Sequence, residues 1–168
     1  MAEPELQAVR TALRRVLKGH EPYPAVVVNR WWELVEANAG IALFTRDVRP
    51  ELLEPPVNAL RLSLHPDGMA PRIANLPEWR AHLLDRLRRQ AEASGDARLA
   101  ELHDELAAYP GGQAQPPAAT DVVVPLRYDG LSFLSITTVV GTPVDVTVSE
   151  LAIEGFYPAD AATAAALA

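Results

Sequence analysis

The segment DVVVPLRYDGLSFLSITTVV, residues 121–140, constrains the fold more than any other stretch of the chain. Asp129-Gly130 is a favoured two-residue turn between antiparallel strands, because its positive-φ residues match the right-handed twist of a hairpin. Residues Asp121 to Tyr128 and Leu131 to Val140 flank it and are strand-like, so a β-hairpin is predicted here. After Gly141-Thr142-Pro143, residues Val144 to Tyr157 continue with β-branched and apolar positions and stop at Pro158.

A second hairpin is predicted in EPYPAVVVNRWWELVEANAGIALF, residues 21–44. Val26 to Val28 are β-formers, Asn29-Arg30 is a plausible turn, and Trp32 to Ala37 return as a strand. Asn38 is an N-cap candidate for a short helix through Phe44. The returning strand mixes apolar and charged residues on both faces, as expected of a sheet covered partly on both sides. Before it, Leu6, Val9, Leu13, Val16 and Leu17 recur at helical spacing up to Gly19.

Six prolines between Pro50 and Pro77 predict a long irregular connection, with a short helix or turn over Asn58 to Leu64 and a turn at His65-Pro66-Asp67-Gly68. Pro77 opens a helix in which Trp79, Leu83, Leu87 and Ala91 follow at four-residue spacing. Ser94-Gly95-Asp96 breaks it, and Leu99, Leu102, Leu106 and Tyr109 resume the pattern, giving a helical hairpin. The tail from Asp160 is alanine-rich and predicted helical. The fold class is α+β: a mainly antiparallel sheet of about five strands with helices on one face.

Composition removes several functions. Zero cysteines exclude disulfides, thiol catalysis and cysteine metal sites. A net charge of −7 disfavours nucleic acid and anionic membranes as partners of this segment. No apolar run approaches the ~18 residues of a membrane span, and the N-terminus lacks a signal-peptide pattern, so a cytoplasmic location is expected. Phosphate-loop, dinucleotide, nucleophile-elbow and zinc-helix motifs are absent. The four histidines (His20, His65, His82, His103) are scattered, and solvent-facing or helix-packing roles suit them best. Metal and cofactor are therefore expected to be none. The helical hairpin is a poor DNA reader, because its second arm carries Asp96, Glu101, Asp104 and Glu105 against Arg98.

In RLSLHPDGMAPRIANLPEWRAHLLDRLRRQ, residues 61–90, cations are spaced through apolar sequence. That pattern suits a pocket with an apolar body and one anionic end. The alternative is that the same apolar residues anchor the loop on the core. The arginines at 86–89 read as a solvated basic face whose stems cover apolar surface.

These stretches resemble the ligand-binding domain of MmyB-like transcription regulators, a bacterial family with an N-terminal helix-turn-helix. The resemblance rests on PYPAVVVNRWWELVEANAGIALF, on NALRLSLHPDGMAPRIANLPEWRAHLLDRLRRQ and on the closing ELAIEGFYPADAATAAAL. Asn29, Trp32, Asn38, His65-Pro66, Arg72-Ile73, Trp79 and Phe156-Tyr157-Pro158 fall where the family has similar residues. It implies a PAS-like fold, a sensory role and a fatty-acid-like ligand. About twenty residues precede the sheet, too few for the DNA-reading domain, so an excised fragment or a stand-alone sensor is expected. On this reading residues 1–20 are a connecting helix and residues 21–168 the sensor, with DNA reached only through a domain not in this chain.

The expected ligand lies between the sheet and the helices, walled by the 61–79 loop, the Trp79 helix and the strand 131–139. Arg72 is the first choice for an anionic head and Arg61 the second. The candidate contact set is Arg72, Arg61, His65, Met69, Ile73, Trp79, Leu83, Phe133 and Trp32. A homodimer is expected, with the helix Leu6 through Leu17 as its interface or else packed on the sheet. The competing class is a small α+β enzyme of hydrolase or isomerase type using His65, Asp67 and Arg72. The lack of a convincing acid–base pair weighs against it.

Overall fold

The computed structural model describes residues 3–113, 123–140 and 150–168. Five strands form one antiparallel sheet in the order β2-β1-β5-β4-β3. They are β1 (Ala25–Val28), β2 (Leu34–Ala37), β3 (Leu126–Tyr128), β4 (Leu131–Val139) and β5 (Ala152–Pro158). The central position of β5 puts its residues between both hairpins, with Val27 opposite Ile153 and Thr137 opposite Glu154.

The Asp129-Gly130 turn forms as expected, with φ of 50° and 80° at its two residues. Strand β3 is shorter than the predicted Asp121 to Tyr128, of which residues 121–122 lie outside the described residues, as do residues 141–149. The first hairpin also forms, but Trp32 belongs to its turn rather than to its strand. Asn29 shapes that turn by accepting through Oδ1 from the backbone N–H groups of Trp31 and Glu33, both at 3.0 Å. Trp32 is thereby held at a φ of 68°, a left-handed conformation that costs a bulky side chain energy. Burial of its indole compensates, since Trp32 is only 6% exposed.

The helices are α1 (Glu3–His20), α2 (Ala42–Thr45), α3 (Ala59–Leu64), α4 (Leu76–Ser94), α5 (Ala97–Ala107) and α6 (Ala161–Leu167). Asn58 caps α3 through its side chain, Asp96 caps α5, and Gly95 ends α4 in the left-handed conformation that glycine adopts without penalty. Helices α2 to α5 lie on one face of the sheet, over a core that includes Val26, Phe44, Leu62, Trp79, Leu87, Leu106 and Phe133. The other face is covered in part by α1, whose Leu13 and Leu17 pack on Ala25 and Val27. The mixed faces of the 32–37 segment have this cause: both sides of the sheet are partly covered.

Asn38 precedes a short 3₁₀ turn (Ala39–Ile41) but makes no side-chain cap there. It is buried, and its Oδ1 accepts from the Ala25 N–H at 3.1 Å while its Nδ2 donates to the Leu17 and Tyr23 carbonyls, each at 2.9 Å. One amide thus ties α1, the loop before β1 and the end of β2 together. Asn38→Ala leaves a buried N–H and two carbonyls without that partner, and is expected to cost about 2–3 kcal/mol in urea unfolding. An unchanged midpoint would show that α1 docks without it.

Candidate functional site

The site follows from how the sheet and α4 present their inner faces. On α4, Trp79, Leu83, Arg86, Leu87 and Gln90 fall at helical intervals of three, four and seven. On β4 and β5, Phe133, Ser135, Thr137, Glu154 and Phe156 alternate toward the same side. Between them lies a cavity of about 60 Å³. Its walls include Val26, Trp32, Leu34, Phe44, Leu62, Met69, Trp79, Leu83, Leu126 and Phe156, with Ser63, Ser135, Arg86 and Glu154 as its polar members. One water needs roughly 10–15 Å³ by this measure, so the space holds several waters or a short apolar group. A longer body requires neighbouring side chains to move.

The polar end is a built network. Glu154 is 5% exposed in the middle of the sheet's inner face. Arg86 Nη2 donates to Glu154 Oε1 at 2.7 Å and to Thr137 Oγ1 at 2.6 Å. Thr137 Oγ1 donates to Glu154 Oε1 at 2.8 Å, and Ser135 Oγ to Glu154 Oε2 at 3.2 Å. The Arg86 guanidinium also lies over the Trp32 ring, 4.5 Å from its centroid. The indole is fixed in turn, because Trp32 Nε1 donates to Gln90 Oε1 at 2.8 Å and Gln90 Nε2 donates to the Arg30 carbonyl. A buried carboxylate is expensive unless it is paired and hydrogen-bonded, and Glu154 has both kinds of partner.

Of the nine residues expected to touch a ligand, Trp32, Met69, Trp79 and Leu83 line the cavity. Ile73 and Phe133 are buried in the same core but are not among its lining residues. The three polar candidates lie elsewhere. Arg72 faces Asp47, with Nε 3.5 Å from its carboxylate, and is more than a third exposed. Arg61 donates from Nε and Nη2 to Glu105 at 2.7 and 2.9 Å. His65 caps α3, accepts at Nδ1 from the Asp67 N–H at 2.9 Å and meets the Tyr109 ring edge-on. Asp67 is paired with Arg49 at 2.8 Å. His65, Asp67 and Arg72, the residues of the enzyme alternative, are therefore each engaged by a different partner or task.

Arg61, Glu105 and Tyr109 form a second polar cluster that fastens α3 to α5. The Arg61 guanidinium holds the Glu105 carboxyl below its ordinary range, and burial with the Glu105 hydrogen bond pushes Tyr109 up to about 12. Because the folded pKa of Glu105 is depressed, its contribution is present above the unfolded value of about 4.3 and is lost as pH falls through the folded one. Glu105→Gln is therefore expected to melt below the wild type at pH 7, with the gap narrowing as pH falls below about 4. A gap that does not narrow on acidification would place the effect in packing instead.

The histidines of the helical hairpin are not among the cavity residues. His82 lies against Trp79, and its pKa is lowered chiefly by burial; His103 sits beside Asp104. Among the described residues no cluster of three His, Cys, Asp or Glu is placed to hold a metal, and no helix is long and apolar enough to cross a membrane. Sequence reasoning missed Arg86 and Glu154, although Arg86 stands seven residues after Trp79 and three after Leu83, on their face of α4.

No curated protein resembles the chain closely enough to count as a match. A family model, the MmyB-like transcription regulator ligand binding domain, matches residues 9–168, which include both hairpins, α2 to α6 and all the cavity residues. With that match over nearly its whole length, the chain belongs to the MmyB-like transcription regulator ligand-binding domains, and is a ligand-sensing regulatory domain.

Proposed function

We propose that the sensed molecule is a small effector with an apolar, fatty-acid-like body, and that it enters the cavity between β4, β5 and α4. The observation that carries this reading is the cavity itself: mostly aromatic and aliphatic walls, a polar network at Arg86, Glu154 and Ser135, and Ser63 taken up by the Trp79 indole, where a tightly packed domain has no structural need of space. Met69 and Leu83 supply adaptable walls, and each methylene taken up contributes about 0.8 kcal/mol before association costs. In this role Trp32, Met69, Trp79 and Leu83 grip the body, and the polar end is Arg86 with Glu154 rather than Arg72 or Arg61.

Titration with the uncharged apolar fluorophore N-phenyl-1-naphthylamine tests it. Ala59, at the start of α3, lines the cavity, and Ala59→Leu places an isobutyl group there. Affinity is expected to fall at least ten-fold, about 1.4 kcal/mol, with the protein still folded. Equal affinity in the variant would move the site elsewhere.

A homodimer belongs to the same proposal, since regulators of this kind act on paired half-sites. Leu13 and Leu17 are committed to the sheet, which leaves the exposed Val16 and the nearby Ile136 and Tyr157 as the apolar surface for a second copy. Light scattering at tens of micromolar should give twice the monomer mass, and Val16→Glu should reduce it. A monomer at that concentration removes the claim.

A further inference from the structure

A second space adjoins the cavity. Outside Trp32 lies a cleft of about 310 Å³ bounded by Val28, Asn29, Arg30, Gln90, Glu150 and Ala152. Trp32, Arg86 and Glu154 line this cleft as well as the cavity, so these three side chains are the partition between the two. The partition is unequal in its freedom. Glu154 is anchored on the central strand, and Trp32 is locked by Gln90 in a turn of fixed geometry. Arg86 has the longest side chain of the three and is 30% exposed, so it is the member able to swing aside.

We infer that this outer cleft is the head-group subsite of the effector, that the effector spans the partition, and that its head is uncharged and hydrogen-bond-donating, Glu154 discriminating against a carboxylate. The inference rests on the cavity's being the effector site.

Charge decides the class of head. The cleft carries two cations, Arg30 and Arg86, against two carboxylates, Glu150 and Glu154. They are already paired: Arg86 with Glu154 at 2.7 Å, and Arg30 with Glu150 at 3.5 Å and with Asp96 at 3.1 Å. No cation is in surplus. A carboxylate head would bring a further negative charge beside Glu154 at the partition and Glu150 at the rim, where the two cations are already matched by carboxylates and one of those is buried. A hydroxyl or amide brings no such charge. It donates to Glu154 and accepts from the guanidinium, so Arg86 can shift while both charges stay satisfied. Size points the same way. About 60 Å³ is too little for a head as well as a body, which leaves the adjoining cleft of about 310 Å³ for the head, while a long body still requires the cavity's side chains to move.

Chain-matched probes test this. Wild-type protein is titrated with 1-dodecanoylglycerol and with dodecanoate below their aggregation concentrations, following the fluorescence of Trp32 and Trp79, which line the cavity. The glycerol ester is expected to bind at least ten-fold tighter. Glu154→Gln, nearly isosteric, should bring the two within three-fold by strengthening dodecanoate. Should that variant fail to fold, Glu150→Lys at the exposed rim should cut the wild-type ratio at least three-fold. Preference for dodecanoate in the wild type, or a ratio unmoved in the folded variant, overturns the inference and leaves the effector site standing. Binding of neither probe removes both.

Discussion

Phe44→Ala is expected to lose about 3–5 kcal/mol of folding stability, the range for truncating a buried aromatic side chain. Phe44 is 2% exposed, and it meets the rings of Tyr128, Phe133 and Phe156 edge-on at centroid distances of 5.1, 5.6 and 5.0 Å. Those three rings stand on β3, β4 and β5, so a single side chain from the short helix α2 ties three strands to the helical layer. Each edge-to-face pair adds to the area term, which puts the site at the upper part of the range. The same ring lines the cavity, and its removal enlarges it. N-phenyl-1-naphthylamine should therefore raise the melting temperature of Phe44→Ala more than that of the wild type, because ligand binding to the folded state restores part of the lost stability. A variant within about 1 kcal/mol of wild type, with no larger ligand shift, would mean that the core recloses and that the ring supports neither layer.

How much of this was legible depended on distance along the chain. The Asp129-Gly130 turn, the short helix over 58–64, the break at Ser94-Gly95-Asp96 and the α4–α5 hairpin are all local chemistry, and each stands where the sequence places it. The apolar walls Met69, Trp79 and Leu83 were legible for the same reason, since helical spacing alone turns the α4 pair inward. The position of Trp32 was not, because strand propensity counts a Trp-Trp pair as extended and cannot see Asn29 folding the turn around it. The polar end was harder still. Arg86 and Glu154 are 68 residues apart and meet only when α4 packs on β5. By sequence, Arg86 falls within a basic run, and its neighbours Arg88 and Arg89 are indeed exposed beside Asp85 and Glu92. Periodicity separates them, because Arg86 shares a face with Trp79 and Arg88 does not. Arg61 and Arg72 lie among apolar residues in sequence, yet their cationic ends reach outward to Glu105 and Asp47.

Arg86→Ala is expected to destabilise the protein by about 2–4 kcal/mol. Breaking a buried ion pair from one side typically costs about 3–5 kcal/mol, because the remaining charge is left without a partner. The figure is reduced here because Arg86 is itself 30% exposed and its loss admits water. Most of the cost belongs to Glu154, which keeps Ser135 and Thr137 as hydrogen-bond partners but loses its cation. The stack on Trp32 accounts for a further part, about 0.5–1 kcal/mol. If this division is correct, adding Glu154→Gln to Arg86→Ala should restore stability, although Glu154→Gln alone is mildly destabilising. The double-mutant cycle should give a coupling of about 1–3 kcal/mol, as expected of residues in direct contact within one network. Arg86→Lys should recover only part of the loss, since an ammonium reaches Glu154 or Thr137 but does not stack on the indole as a planar guanidinium does. A coupling below about 0.5 kcal/mol would mean that Glu154 draws its stability from the two hydroxyls alone. Arg86 would then be free to leave the partition at little cost, and selection between heads would have to lie with Glu154 by itself.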